Sequence, residues 1–390
     1  MIYRDINGVR VSALGMGAMR LPTAGSPGCI DEARAQEIVD CLIEGGVNYF
    51  DTAWSYHDGA SERFIGRALA RYPKEKWLLA SKMPGHEKTP NFDVRGTFCR
   101  QLEKCGVDCF DFYLLHNVCE NSIDAYLDEN LRILDQVLEQ KQAGYIRQLG
   151  FSTHARPELL RAYLERYPGC FSFVQIQLNY LDWTLQQAKE KYEMLTEMGL
   201  PVLVMEPVRG GKLTQLKPEQ LARLQAQRPG WSAAAWALRF VQQLPNVAVT
   251  LSGMSTLEQA QENLKTFSQP ETLTDADFAL LAEIAGSLAT KLPCTGCRYC
   301  CKGCPKGLDI PTLLDIYADA QYASSFSVTM PVEAMPEGHR PADCIGCGAC
   351  SSVCPQNIDI PSAMAHFAEL LKDMPSWAEV TARRNSLPRD

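Results

Sequence analysis

Residues 48–83 read NYFDTAWSYHDGASERFIGRALARYPKEKWLLASKM. An apolar run at 48–53 gives way to an amphipathic helical stretch at 61–70 and then to a second apolar run at 77–83, which makes one strand-helix-strand unit. The same alternation continues on both sides. Strands are expected at 11–18, 48–53, 77–83, 111–117, 148–153, 173–179, 201–208 and 247–254. Between them, helices are expected at 31–46, 61–70, 123–144, 155–167, 184–199, 232–244 and 256–267, several of them stopped by glycine. Eight such units over about 270 residues imply an α/β fold, a closed parallel (β/α)8 TIM barrel. An open doubly wound sheet fits less well, since no G-x-G-x-x-G follows the first strand.

In a barrel of this kind the chemistry gathers at the C-terminal ends of the strands. The second strand ends in FDTAWSY, the third in LLASKM and the fourth in FYLLHN, so three consecutive strands deliver Asp51, Tyr56, Lys82 and His116 to one rim. A lone lysine is ordinarily a solvated charge and a lone histidine a satisfied core residue. Their joint placement is the signal.

The last hundred residues carry a different pattern. Cys294, Cys297, Cys300, Cys304 and Pro305, and again Cys344, Cys347, Cys350, Cys354 and Pro355, read C-x2-C-x2-C-x3-C-P, the run that presents thiolates to a [4Fe-4S] cube. Three thiolates on one short loop reach three corners of a cube, while the fourth, turned away by Cys-Pro, reaches across to the other. The expected sets are Cys294, Cys297, Cys300 and Cys354 on one cluster, with Cys344, Cys347, Cys350 and Cys304 on the second. Cys301 stands outside the spacing and is read as a packed thiol. Structural zinc is disfavoured because its sites pair C-x2-C units without the x3-C-P extension. The other seven cysteines, Cys29, Cys41, Cys99, Cys105, Cys109, Cys119 and Cys170, show no pattern and are read as reduced core residues.

Domains are expected at 1–290 and 291–390. A helix over 274–291 closes the first, and the second is an all-α ferredoxin-like domain. Fifty residues separate the two cysteine runs, each followed by Asp-Ile-Pro, at 309–311 and 359–361, and then by helical stretches at 312–323 and 362–373. The segment 324–340, rich in Pro, Met and Ser, reads as a loop.

The chain has 390 residues, 46% hydrophobic, with a net charge of −8, which gives no electrostatic help toward nucleic acid. A basic redox protein is a better-matched partner. The N-terminal MIYRDINGVR is polar and no run approaches 18 apolar residues, so neither export nor a membrane span is expected and a reducing cytoplasm is the expected compartment.

Over residues 1–270 the segments FDTAWSYHDGASERFIGRAL, LLASKM, DCFDFYLLHN, IRQLGFSTH, VQIQLNYLD, EPVRGGKL and SGMSTLEQAQENL resemble the aldo-keto reductase superfamily, in that family's order. The whole chain resembles the branch in which the barrel is fused to a C-terminal ferredoxin-like domain. The resemblance implies a catalytic tetrad of Asp51, Tyr56, Lys82 and His116, with NADP(H) or NAD(H) as hydride donor to a small-molecule carbonyl. It implies nicotinamide contacts from Ser152 and Gln177, pyrophosphate contacts from Gly210, Gly211, Lys212 and Leu213, and adenosine contacts from Gly253, Ser255, Gln259, Glu262 and Asn263. Three positions depart from the family pattern. Met205 stands where many relatives place an aromatic ring, Glu206 puts a carboxylate near anionic phosphate, and Gln259 replaces the Arg common in NADPH-selective members.

The two halves pose a chemical difficulty, since nicotinamide gives up two electrons as hydride and each cluster moves one. Direct coupling is not expected. A flavin could divide the pair, although no motif here identifies one. A rival class is an electron-transfer protein or redox sensor whose barrel binds nucleotide or flavin without carbonyl turnover.

Overall fold

The computed structural model describes residues 1–25, 29–87, 92–119, 122–269, 271–288, 292–320, 326–374 and 376. The chain divides into two compact units, Met1–Ser287 and Leu288–Asp390.

Ten strands form among the described residues of the first unit: β1 Tyr3–Ile6, β2 Val9–Ser12, β3 Leu14–Gly17, β4 Tyr49–Asp51, β5 Leu78–Met83, β6 Phe110–Leu115, β7 Ile146–Thr153, β8 Phe173–Gln177, β9 Val202–Met205 and β10 Val247–Ser252. Strands β3 to β10 close into a barrel in the order β10-β3-β4-β5-β6-β7-β8-β9, every neighbour parallel. The eight-stranded closed barrel is therefore the fold the alternation implied.

The first expected strand, 11–18, is divided. Ser12 Oγ donates to Leu14 O at 2.6 Å, and Ser12 N donates to Asn48 Oδ1 at 2.7 Å, which ties a bend into the run. Residues before the bend pair antiparallel as β1 and β2, and only those after it join the barrel. The hairpin has its own use. Ile6 and Val11 are fully buried against Tyr49, Phe112, Phe173, Leu203 and Val249, so the hairpin plugs the end of the barrel from which the strands start. Inside, Tyr49 and Phe112 meet edge-on at 5.0 Å, and Phe112 and Phe173 at 5.4 Å. The opposite rim is left for the site.

Two expected helices are also interrupted. The stretch 123–144 forms Ile123–Leu127 and Ile133–Gln142, because the Asp128 carboxylate accepts from Asn130 N (2.7 Å) and Leu131 N (3.2 Å), a local turn that competes with the helix. The stretch 184–199 forms Asp182–Leu185 and Ala188–Glu197, broken where Gln187 adopts a φ of +52°. Helices Val94–Cys105 and Pro218–Gln227 complete the crossovers.

The second unit has helices Tyr299–Lys302, Ile310–Ala320, Phe326–Glu333 and Ile360–Lys372, and no strand among its described residues. Residues 326–333 correct the loop expected at 324–340, of which 324 and 325 lie outside the described residues. Val328 and Val332, four apart, enter the core with Leu313, Leu314 and Phe367, and that burial outweighs the Pro331 within the helix. The helices expected at 274–291 and 312–323 run Asp275–Leu288 and Ile310–Ala320, their last residues lying outside the described range. The scattered cysteines also need correction: Cys105 and Cys119 are buried, Cys41, Cys109 and Cys170 are half-buried, and Cys29 and Cys99 are exposed. A lone cysteine carries no periodic pattern from which its depth could be read.

Close packing leaves no room for a side chain where helix Ala60–Leu69 meets the backbone of helix Val94–Cys105. A Cβ on Gly66 would overlap the Cys105 carbonyl, whereas one on Gly286, inside helix Asp275–Leu288, would meet nothing within 4 Å. Gly66→Ala should lower stability by about 1–3 kcal/mol, and Gly286→Ala should raise it by about 0.5–1 kcal/mol. Urea unfolding followed by circular dichroism reads both; equal midpoints for the two variants would refute the packing argument.

Candidate active site

Four residues converge at the C-terminal ends of β4, β5 and β6. Asp51 is the last residue of β4, Lys82 the penultimate residue of β5, and His116 directly follows β6. Tyr56 arrives on the loop after β4, where His57, Asp58 and Gly59 all take positive φ (+50°, +53° and +89°) and turn the chain back over the rim. The conformation is uncommon for the first two, and His57 is tied down by Leu21 N, which donates to its Nε2 at 3.2 Å.

Lys82 is the hub. Its Nζ donates to Asp51 Oδ1 at 2.5 Å, to Thr52 O at 2.7 Å and toward Tyr56 Oη at 3.4 Å, and it lies 4.8 Å from the centre of the Tyr56 ring. Lys82 is wholly buried and Asp51 nearly so. Burial pushes the Asp51 carboxyl up and the Lys82 ammonium down, and in each case the partner's charge opposes the shift.

His116 stands on the other side of Tyr56, their rings 5.9 Å apart at 81°. Its backbone is fixed by His116 N donating to Met83 O (3.0 Å) and by Tyr126 Oη donating to His116 O (2.5 Å). Burial holds its imidazole well below the ordinary histidine range, and His86, Lys82 and His154 add to that shift. The ring is therefore neutral at ordinary pH. His86, after β5, meets it edge-on at 4.5 Å, and His154 follows β7 directly. His154 is itself pushed down, by burial first and then by Lys191. Neither His86 nor His154 was singled out from the sequence, although His154 stands at a strand end like the other rim residues.

The expected nucleotide positions lie along the remaining arc of the same rim. Ser152 Oγ accepts from Asn117 N at 2.9 Å. Gln177 Nε2 donates to Asp182 Oδ2 at 2.7 Å, and Asn179 Nδ2 reaches the same oxygen at 2.7 Å. Asp182 is wholly buried and also pairs with the buried Arg209 at 3.2 Å, so it organises this arc. Asp182 was not foreseen; an acid five residues after a strand end carries no motif of its own. Gly210 and Gly211 both take positive φ, +66° and +89°, a conformation that glycine adopts without steric cost, and the Gly211 N–H donates to Val208 O at 3.0 Å. Lys212 follows half-exposed and Leu213 is buried. After β10, Gly253 faces the side chain of Arg20, and Ser255 Oγ donates to Arg20 O at 2.7 Å. Gln259 Oε1 accepts from Ser255 N at 2.8 Å, Asn263 Nδ2 donates to Ser252 Oγ at 3.0 Å, and Glu262 lies beside them on helix Leu257–Ser268. Glu206 adds a carboxylate beside these positions, its backbone O accepting from Asn179 Nδ2 at 2.9 Å.

In the second unit, two cavities separate the cysteines into sets. One is lined by Cys304, Cys344, Cys347 and Cys350. The other is lined by Cys294, Cys297, Cys300 and Cys354. Each set thus draws three cysteines from one run and the fourth from the other, and Cys301 lines neither cavity. Among the described residues no three His, Cys, Asp or Glu side chains converge as a single ion would require. The thiols surround a space, as a cube of iron and sulfide demands.

No helix among the described residues is long and apolar enough to cross a membrane. Residues 13–285 match the family model described as Aldo/keto reductase family, and residues 293–358 match that of the 4Fe-4S dicluster domain. L-galactose dehydrogenase of Arabidopsis thaliana is 25% identical over 301 residues, covering 72% of this chain and 92% of its own. The NADH-specific methylglyoxal reductase of Escherichia coli (strain K12) is 23% identical over 326 residues, covering 72% and 96%. Among solved structures, an aldo-keto reductase from Bacillus halodurans in its holo form superposes with a TM-score of 0.59 at 26% identity, covering 73% of this chain and 96% of that one. The buried lysine at a barrel rim and the paired cysteine cavities thus have one common explanation: the chain belongs to the aldo/keto reductase family of oxidoreductases and carries a 4Fe-4S dicluster domain at its C-terminus.

Proposed function

We propose that the chain uses NADPH or NADH to reduce a carbonyl, or another polarised double bond, of a small molecule, in a reducing cytoplasm. The observation that carries this reading is the buried Lys82 ammonium, held between Asp51 and Tyr56 Oη. Nicotinamide, when bound, supplies the hydride. The developing alkoxide then needs a proton, and Tyr56 is its donor. A phenol ordinarily ionises near pH 10, too high for easy relay, and a neighbouring ammonium favours the phenolate. Lys82 supplies that charge, Asp51 keeps it oriented, and neutral His116 donates a hydrogen bond to the substrate oxygen and fixes its angle. Relatives named for methylglyoxal and L-galactose, both small oxygenated molecules, support this substrate class.

We further assign a domain boundary near residue 290 and two [4Fe-4S] clusters to the C-terminal domain. Cys294, Cys297, Cys300 and Cys354 would hold one, and Cys344, Cys347, Cys350 and Cys304 the other, for electron transfer to a redox protein or for structure. Steady-state NAD(P)H consumption with a panel of carbonyl compounds tests the reading. Cluster-dependent electron flow to a partner without carbonyl turnover would replace it with an electron-transfer role.

Tyr56→Phe should lower kcat at least about a hundredfold and leave nucleotide affinity nearly intact, since the ring remains and the proton donor is lost. Lys82→Met should act similarly. Near-wild-type turnover in the Tyr56 variant would remove that residue from the mechanism.

Because His116 is held neutral, its charged form appears only well below the ordinary histidine pKa of about 6.5. The profile of kcat/KM between about pH 5.5 and 7.5 should therefore show no ionisation that disappears in His116→Gln. A limb near 6.5 abolished by that substitution would contradict the assignment.

Crossed ligation makes Cys304→Ala asymmetric: it should damage the cluster of Cys344, Cys347 and Cys350 and spare that of Cys294, Cys297 and Cys300. Paramagnetic spectra of the reduced variant distinguish the two, and loss of the second instead would refute the crossing.

A further inference from the structure

The turn after β9 carries Gly210 and Gly211 at positive φ and one carboxylate, Glu206. Glu206, immediately beyond β9, takes a φ of +57°, uncommon for a side chain with a Cβ, and is held there by Asn179 Nδ2, which donates to Glu206 O at 2.9 Å. Arg20 Nη2 reaches Glu206 Oε1 at 3.5 Å, while Glu206 Oε2 is buried without a hydrogen-bond partner among the described residues.

Arg20 arrives from the loop after β3, and its stem crosses Gly253 at the end of β10, where an added Cβ would lie 3.1–3.3 Å from it. In the barrel order β10 lies between β9 and β3. The pair therefore spans the arc on which the dinucleotide phosphates are proposed to lie. Its side chains are 31% and 15% exposed, so neither charge is fully relieved by solvent. Burial raises the Glu206 carboxyl, Arg20 opposes this, and Asp182 adds to it, so the charge is costly where it stands. Arg209, the other nearby cation, is already paired with Asp182.

We propose that the phosphate site of this chain is self-occupied: the Glu206 carboxylate stands on the Arg20 guanidinium in the place of a nucleotide phosphate, and dinucleotide binding displaces it. Arg20 then passes from carboxylate to phosphate, and Glu206 acts as an internal competitor that weakens nucleotide affinity. This rests on the proposed nucleotide-dependent function for its natural ligand, but the anion exchange can be tested without it.

Titration calorimetry on the full chain, with inorganic pyrophosphate, NADPH and NADH as separate probes, gives the test. Glu206→Gln should bind pyrophosphate at least about tenfold more tightly than the parent chain, because one partly buried like charge is removed from the site. Glu206→Asn, whose side chain tolerates the left-handed conformation, should show the same gain and guards against a folding defect in the first variant. In an Arg20→Gln background the gain should fall below about threefold, since the carboxylate acts through Arg20. Equal or weaker pyrophosphate binding in both uncharged variants would overturn the proposal, as would a gain undiminished without Arg20. A gain for pyrophosphate with no binding of either dinucleotide would uphold the self-occupied site and refute the nicotinamide-dependent function instead.

Discussion

An ammonium group with no access to water must be answered by its surroundings, and Lys82 imposes that requirement on the whole rim. Removing a charge from water costs several kcal/mol even after relaxation, and stripping one member of a buried pair is strongly destabilising. Lys82 is tolerated because Asp51 and the Thr52 carbonyl meet it at 2.5 and 2.7 Å. Both come from the end of β4, which pairs with β5 in fixed register, Asp51 opposite Ala80. Closure of the barrel brings the charge and its answer within reach of each other.

From that hub the rim divides into two electrostatic environments. On one side His116, His86 and His154 crowd together, and burial with mutual repulsion keeps His116 and His154 uncharged. Neutral His116 and His154 offer donors and acceptors suited to orienting a polar substrate. On the other side each carboxylate has its own cation, Asp182 with Arg209 and Glu206 with Arg20. That arc is compensated before any ligand arrives, so an anionic ligand gains from it only by exchange.

The C-terminal unit follows a different logic, because its core is small and partly made of cysteine. Cys294, Cys300, Cys350 and Cys354 share one buried group with Leu308, Ile310, Ile360, Met364 and Phe367. Ile310 and Ile360, the isoleucines of the two Asp-Ile-Pro phrases, are both 1% exposed, so the sequence repeat is also a repeat in packing. Helices that bury these residues bring the fourth cysteine of each run beside the first three of the other.

Much of this was legible in the chain. Eight apolar runs separated by helical periodicity encode a closed barrel because strand and helix periods leave distinct marks in sequence. The rim residues Asp51, Tyr56, Lys82 and His116 could be placed because they stand at strand ends, and the two cysteine runs because their spacing is a local property of each loop. Other features were decided only by the folded molecule. The bend at Ser12 depends on Asn48, thirty-six residues away, and helix Phe326–Glu333 forms despite Pro331 because Val328 and Val332 find a core to enter. His86 beside His116, Asp182 beneath Gln177, and Arg20 across Gly253 to Glu206 join residues from different loops. No periodicity records such pairs, since their meeting is set by barrel closure and not by their neighbours along the chain.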